Sequence, residues 1–270
     1  MISIVIPVKN EEESISKTLD NCSDLPANYI ITVLNGCTDA SKKIIENHPL
    51  KTKIHLIEFS QPLGIDVPRA IGAAYAYKLN SQVVLFLDGD MQGKIATHLY
   101  ELITAVYQEN TDMALTNCYP YISIRSTMAS TVLNYREKLN RRLGVFADLG
   151  LASPSHGPHA VSRILLEKVP WRFLAIPPLS LAMAVINNLN IKVATSLPHS
   201  LLFSQARNET HSTLIAETII GDCLEALNYL EGLPPLREEK GIHYLGYHPE
   251  RKFDVLDKYV ESLGIGKIVE

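Results

Sequence analysis

Apolar residues in the first ninety positions fall into short unbroken runs separated by amphipathic stretches. ISIVIPV (2–8), YIITVL (29–34), KIHLIEF (53–59) and VVLFL (83–87) have strand length. Their continuity, rather than alternation, marks strands covered on both faces, as in a parallel sheet. The intervening segments carry helical spacing: Ile15, Leu19 and Cys22, then Ile44 and Ile45, then Ile71, Ala74 and Tyr75. Asn10 with Glu13 three residues on predicts a capping box for the first helix. Asp66 predicts the cap of the third, with Pro68 in its first turn. Strand and helix alternate at intervals suited to right-handed βαβ crossovers.

Beyond residue 93, Leu99, Leu102, Ile103 and Val106 mark a helix and DMALTNC (112–118) a strand. An amphipathic helix is predicted over 126–143, with Met128, Val132, Tyr135, Leu139 and Leu143 at helical spacing and Gly144 closing it. Its basic residues Arg136, Lys138, Arg141 and Arg142 read as a solvated face. Residues 147–158 read as a loop, 191–197 as a late strand, and 211–231 and 253–263 as helices. Trp171 and the apolar run after it read as core. The expected class is α/β, a parallel or mixed sheet with helices on both faces. The expected division is a first half over 1–118 and a smaller C-terminal part of the same domain over 119–270.

Chemistry concentrates where the run at 83–87 stops on Asp88-Gly89-Asp90. Two carboxylates at the end of a buried strand are costly without partners. Open α/β sheets bind ligands just outside such strand ends. A hard divalent cation, Mn2+ or Mg2+, bridging a carboxylate to a substrate phosphate would offset that cost. No Gly-rich turn follows the first strand, so the dinucleotide fingerprint is missing.

Composition narrows this further. The 270 residues carry a net charge of −4, which argues against a nucleic-acid surface. Cys22, Cys37, Cys118 and Cys223 lack metal-ligand spacing and read as reduced thiols. Met1 leads directly into a strand, leaving no room for a signal peptide. The longest apolar run, 173–186, is too short to span a bilayer and contains Pro177-Pro178. A cytoplasmic protein without a transmembrane segment is expected.

Three stretches in order, ISIVIPVKNEEESI, VLNGCTDAS and VVLFLDGDMQG, resemble the successive signatures of GT-A nucleotide-sugar glycosyltransferases of the family-2 type. The second half, from SHGPHAVSRILLEKVPW to FSQARNETHSTLIAETI, is more loosely similar to the retaining glucosyl-3-phosphoglycerate and mannosylglycerate synthases. The resemblance implies a Rossmann-like GT-A fold with a C-terminal acceptor subdomain, and hexosyl transfer from a nucleotide-sugar donor to a small, anionic acceptor. It implies a metal held by Asp90 and His211, with His199 as the rival ligand. Asp88 and Gly89 would meet the ribose or the sugar. Pro7, Asn10 and Glu12 would line the nucleoside slot, and Asn35 would face the base edge. Asn35 stands where the family has aspartate, leaving uridine favoured and guanosine open. Gly64-Ile65-Asp66 replaces the segment that carries a phosphate-binding lysine, and Arg69 is the candidate to take over that cationic role. A homodimer is compatible with this reading.

His156 and His159 flank Gly157-Pro158 in the loop expected near the acceptor, and either could position it or have a purely structural role. His243 and His248 read as part of an ordered tail packed on the core. Ser155 lacks a nucleophile-elbow context. Few acidic residues lie between residue 120 and Glu209, so retention is expected. Inversion would call on Asp148 as general base. A nucleotidyltransferase and a catalytically silent nucleotide-sugar binder are the competing readings.

Overall fold

The computed structural model describes residues 1–121, 127–204 and 208–265. Strands β1 (Ile2–Val8), β2 (Tyr29–Asn35), β3 (Ile54–Phe59) and β4 (Val83–Phe86) alternate with helices α1 (Ile15–Asp20), α2 (Ser41–Asn47) and α3 (Val67–Lys78). Helix α4 (Ala96–Gln108) leads to β5 (Met113–Asn117), then α5 (Thr127–Arg142) and the short α6 (Phe146–Leu149). Strand β6 (His159–Ser162) precedes α7 (Arg163–Lys168), α8 (Trp171–Leu174) and α9 (Pro177–Ile186). Strand β7 (Ile191–Ser196), α10 (Glu209–Leu230), the hairpin β8 (Glu238–Glu239) and β9 (Ile242–His243), and α11 (Phe253–Ser262) finish the chain.

Seven strands form one sheet in the order β3-β2-β1-β4-β6-β5-β7. Strands β1 to β4 run parallel, β6 is antiparallel to β4 and β5, and β7 is parallel to β5. The sheet is therefore mixed, and its central strand β4 has neighbours from both halves of the chain. Alternate residues of β1 explain the two layers. Ile4 and Ile6 pack with α1, α2 and α4 through Leu19, Ile45 and Leu102. Val5 faces α3, α8 and α11 through Ile71, Leu174 and Leu256. A smaller core joins α5, α9 and α10 through Leu139, Leu179 and Cys223. No helix among the described residues is long and apolar enough to cross a membrane.

Three local expectations fail. Helix α1 starts at Ile15 behind Ser14, so Asn10 and Glu13 form no capping box. Asn10 instead adopts φ 56°, a conformation asparagine tolerates, and its Oδ1 accepts from Thr38 N at 2.8 Å. Asp66 precedes α3 but makes no side-chain cap, because its carboxylate is drawn to Arg69. Arg136 is no part of a solvated face: it is only 2% exposed. The basic exterior of α5 consists of Lys138, Arg141 and Arg142, while Arg136 shares the buried stripe with Val132, Leu139 and Asn140. The expected first residue of that helix, 126, lies outside the described residues.

Candidate functional site

The loops after β1, β2 and β4 meet at the carboxyl ends of the parallel strands. The first two are laced together by side chains. Glu12 Oε2 accepts from Ala40 N at 2.9 Å, Glu12 N donates to Asp39 Oδ2 at 3.0 Å, and Lys9 Nζ donates to the Gly36 carbonyl at 2.6 Å. Asn10 and Glu12, expected to line a nucleoside slot, tie these two loops together. Pro7 is half-buried, and its carbonyl accepts from Gly89 N at 3.3 Å. That bond sets the β4 loop beside the end of β1.

Asn35 is stapled to the loop between β3 and α3. Its Oδ1 accepts from Leu63 N at 2.6 Å and its Nδ2 donates to the Gly64 carbonyl at 3.2 Å. The side chain expected to face a base edge therefore holds backbone that borders the site.

Beyond Phe86 the chain reaches Asp88, whose Oδ1 accepts from Arg69 Nη2 at 2.6 Å. Arg69 Nη1 donates to Asp66 Oδ1 at 2.8 Å. Burial opposes the charge of Arg69, and the two carboxylates more than restore it, so its pKa rises. Its Nε has no partner among the described residues. Arg69, the expected substitute for a phosphate-binding lysine, is committed to orienting the first carboxylate of the pair. Asp90 lies half-buried at the same strand end.

The two candidate metal histidines are placed differently. His199 begins the 3₁₀ turn His199–Leu201, and Gly93 N donates to the Leu202 carbonyl at 3.0 Å, tying that turn to the loop carrying Asp90. His211 occupies the first turn of α10, with Nδ1 2.7 Å from the Tyr247 hydroxyl. Among the described residues no trio of potential ligands in mutual reach includes Asp90. The trio that is assembled, Asp222, Glu225 and His248, has its carboxylates occupied by Arg237 and Arg251.

The two acceptor-loop histidines also part company. His159 is a strand residue, 5% exposed, tilted against Phe86 at a centroid distance of 4.8 Å. Burial, with the nearby Arg69 charge, lowers its pKa to about 3, and its Nδ1 has no partner among the described residues. It is a neutral core imidazole. His156 stays at the rim, stacked on Tyr119, with Nε2 3.1 Å from His199 Nδ1. Burial and then the Arg136 charge push His156 well below the usual imidazole range. Helix α5 presses on this loop: Asn140 Nδ2 donates to the carbonyls of Gly150 and Ala152 at 2.8 and 3.1 Å. One turn earlier on the same face, Arg136 has an unpartnered Nε and no ion pair among the described residues. Sequence reasoning missed Arg136, although its place four residues after Val132 and three before Leu139 puts it on the apolar stripe.

Comparison with known proteins bears on the fold. Solved structures with the same fold include glucosyl-3-phosphoglycerate synthase from Mycobacterium tuberculosis. In complex with Mn2+, UDP and glucosyl-3-phosphoglycerate it matches with TM-score 0.61 and 17% identity, over 87% of this chain and 81% of that one. In complex with Mn2+, UDP-glucose and glycerol 3-phosphate it matches with TM-score 0.61 and 18% identity over the same shares. A mycobacterial protein matches with TM-score 0.62 and 15% identity, over 87% of this chain and 76% of that one. No curated protein matches significantly. The model of glycosyl transferase family 2 matches residues 3–169, more than half of the chain. On that match, the α/β chain with Asp88 and Asp90 at the end of its central strand belongs to glycosyl transferase family 2.

Proposed function

We propose that this glycosyltransferase moves a hexose from a UDP-sugar to a small anionic acceptor, with retention of anomeric configuration, using Mn2+ or Mg2+. The observation carrying this reading is the carboxylate pair Asp88 and Asp90 at the end of β4, with Asp88 held by Arg69 at 2.6 Å. Strand-end carboxylates beside a nucleotide diphosphate suit a hard cation, which completes its shell with phosphate oxygens and water. Asp90 would hold the metal together with His211 or His199. When bound, the ion neutralises charge on the diphosphate leaving group.

The chain's own residues supply the rest. Pro7, Asn10, Glu12, Gly89 and the loop held by Asn35 border the nucleoside, and Asp88 presents its outer oxygen to ribose or sugar hydroxyls. The anomeric carbon–phosphate oxygen bond breaks as the bond to the acceptor oxygen forms. In a retaining reaction the acceptor proton passes to the departing phosphate on the same face, so no protein base is needed. The candidate base for inversion, Asp148, lies exposed on α6, which supports retention. The buried guanidinium of Arg136 beside the His156 loop supports an anionic acceptor. The related synthase was solved in complex with an anionic small molecule, phosphoglyceric acid. Four free thiols suit a reducing cytoplasmic setting.

Calorimetric titration with UDP and GDP, each in Mn2+ and in chelator, tests the donor site. UDP is expected to bind tightly only with Mn2+, and Asp90→Ala to abolish that dependence. Equal UDP affinity of wild type and Asp90→Ala in both buffers would remove Asp90 from the site.

A further inference from the structure

The buried charges behind Asp88 do not end at Arg69. The second oxygen of Asp66 accepts from Arg251 Nη2 at 3.1 Å. Arg251, whose side chain is 0% exposed, grips Asp222 of α10 with two bonds of 2.6 and 2.8 Å. Arg237 Nη1 then donates to Asp222 Oδ1 at 2.7 Å and to Glu225 Oε2 at 2.8 Å. Behind Asp88 stand Arg69, Arg251 and Arg237 against Asp66, Asp222 and Glu225, so these charges cancel in sign. The unbalanced charge of the series belongs to Asp88, its most exposed member at 37%.

The same C-terminal segment grips the backbone that carries Asp66. Lys252 N donates to the Leu63 carbonyl at 2.9 Å, and Arg251 Nε to the Ile65 carbonyl at 3.3 Å. Gly64 has φ +84°, and a Cβ there would lie 2.6 Å from the Glu250 carbonyl oxygen. Residues 250–252 are therefore seated on the loop that ends at Asp66. A buried salt bridge adds little net stability, because desolvation offsets the Coulombic gain. What a forked guanidinium adds is angle: two parallel bonds orient the carboxylate they hold.

We infer that Arg251 and Asp222 are positioning residues of the donor site, holding Asp66, through it Arg69, and through Arg69 the carboxylate of Asp88. Both lie beyond residues 3–169, so the C-terminal third supports Asp88, a carboxylate of the family region. The ligand in this inference rests on the donor reading above; the geometry does not.

The test is a double-mutant cycle read in UDP affinity with Mn2+ by calorimetry, using Arg251→Lys, which keeps the charge and loses the fork, and Asp88→Asn. Arg251→Lys is expected to weaken UDP about tenfold in the wild-type background and by less than twofold in Asp88→Asn. An equal loss in both backgrounds, or none in either, overturns the inference. Asp222→Asn, nearly isosteric, should reproduce the pattern if Arg251→Lys does not fold. A crystal structure of the Arg251→Lys protein reads the same link without ligand. Arg69 released from Asp88 supports the inference, and the 2.6 Å bond intact overturns it. Wild-type protein that binds no UDP would instead sink the donor reading, leaving that bond to decide the positioning claim.

Discussion

Gly93 donates its amide to the carbonyl of Leu202 at 3.0 Å, and a Cβ on Gly93 would lie 1.9 Å from the Leu201 carbonyl oxygen. The turn bearing His199 is thus seated directly on the loop that carries Asp90, while each ring has its Nδ1 engaged, His211 by Tyr247 and His199 by His156. The seating of its turn, rather than any ring contact, makes His199 the metal ligand to test first.

His199→Ala is accordingly expected to lower Mn2+-dependent UDP affinity at least tenfold, about 1.4 kcal/mol. His211→Ala should cost less. Titration of both variants at fixed UDP checks this, and the reverse order would restore His211 as the ligand.

Asn35 should matter for stability rather than for base choice. Its amide makes two bonds to the 63–64 backbone from a position 9% exposed. Asn35→Asp keeps the acceptor for Leu63 N but sets an oxygen against the Gly64 carbonyl. A loss of about 1–3 kcal/mol is expected for the unsatisfied group, with the preference for UDP over GDP unchanged. Urea denaturation and a two-nucleotide titration measure both, and an altered base preference would return Asn35 to the base pocket.

Much of this could be read in the chain because it depends on local periodicity. The runs ending at Val8, Leu34 and Leu87 become parallel strands, and Asp88 and Asp90 emerge where β4 stops. What escaped depends on distant partners. Asn10 looked like a cap because the Thr38 amide, 28 residues away, is invisible to a local pattern. His159 looked like a loop residue because β6 is only four residues long and takes its identity from pairing with β4. Asp66 looked like a helix cap because Arg251 lies 185 residues further on. Arg136 looked solvated because charge outweighed position on the helix.

Low pH should destabilise the protein through its buried imidazoles. His159 titrates near 3 in the folded protein and near 6.5 when unfolded, and His156 is also lowered. The unfolded chain therefore binds more protons below pH 6.5, and stability falls as pH drops from there toward 3. Thermal melts from pH 7 to pH 4.5 should show a declining Tm. His159→Leu, which cannot be protonated, should flatten the decline, and an unchanged slope would mean that His159 does not contribute.

Arg136 leads to the sharpest expectation, because stability and binding should move in opposite directions. A guanidinium 2% exposed carries a desolvation cost that no carboxylate among the described residues offsets. After burial, its charge further lowers the pKa values of His156 and His199, so the guanidinium lies near both rings, beside the loop proposed above to meet the acceptor. An acceptor phosphate or carboxylate would supply the missing counter-charge. Arg136→Met keeps the apolar stem that packs with Val132 and Leu139 and removes the charge. Its stability is expected to equal or exceed wild type by about 1 kcal/mol. The KM for phosphoglyceric acid should rise at least tenfold, about 1.4 kcal/mol of lost transition-state binding, while the KM for UDP-glucose stays put. Denaturation and initial-rate kinetics on the same preparation separate the two effects. A destabilised variant with an unchanged acceptor KM would make Arg136 a structural residue and remove the main support for an anionic acceptor.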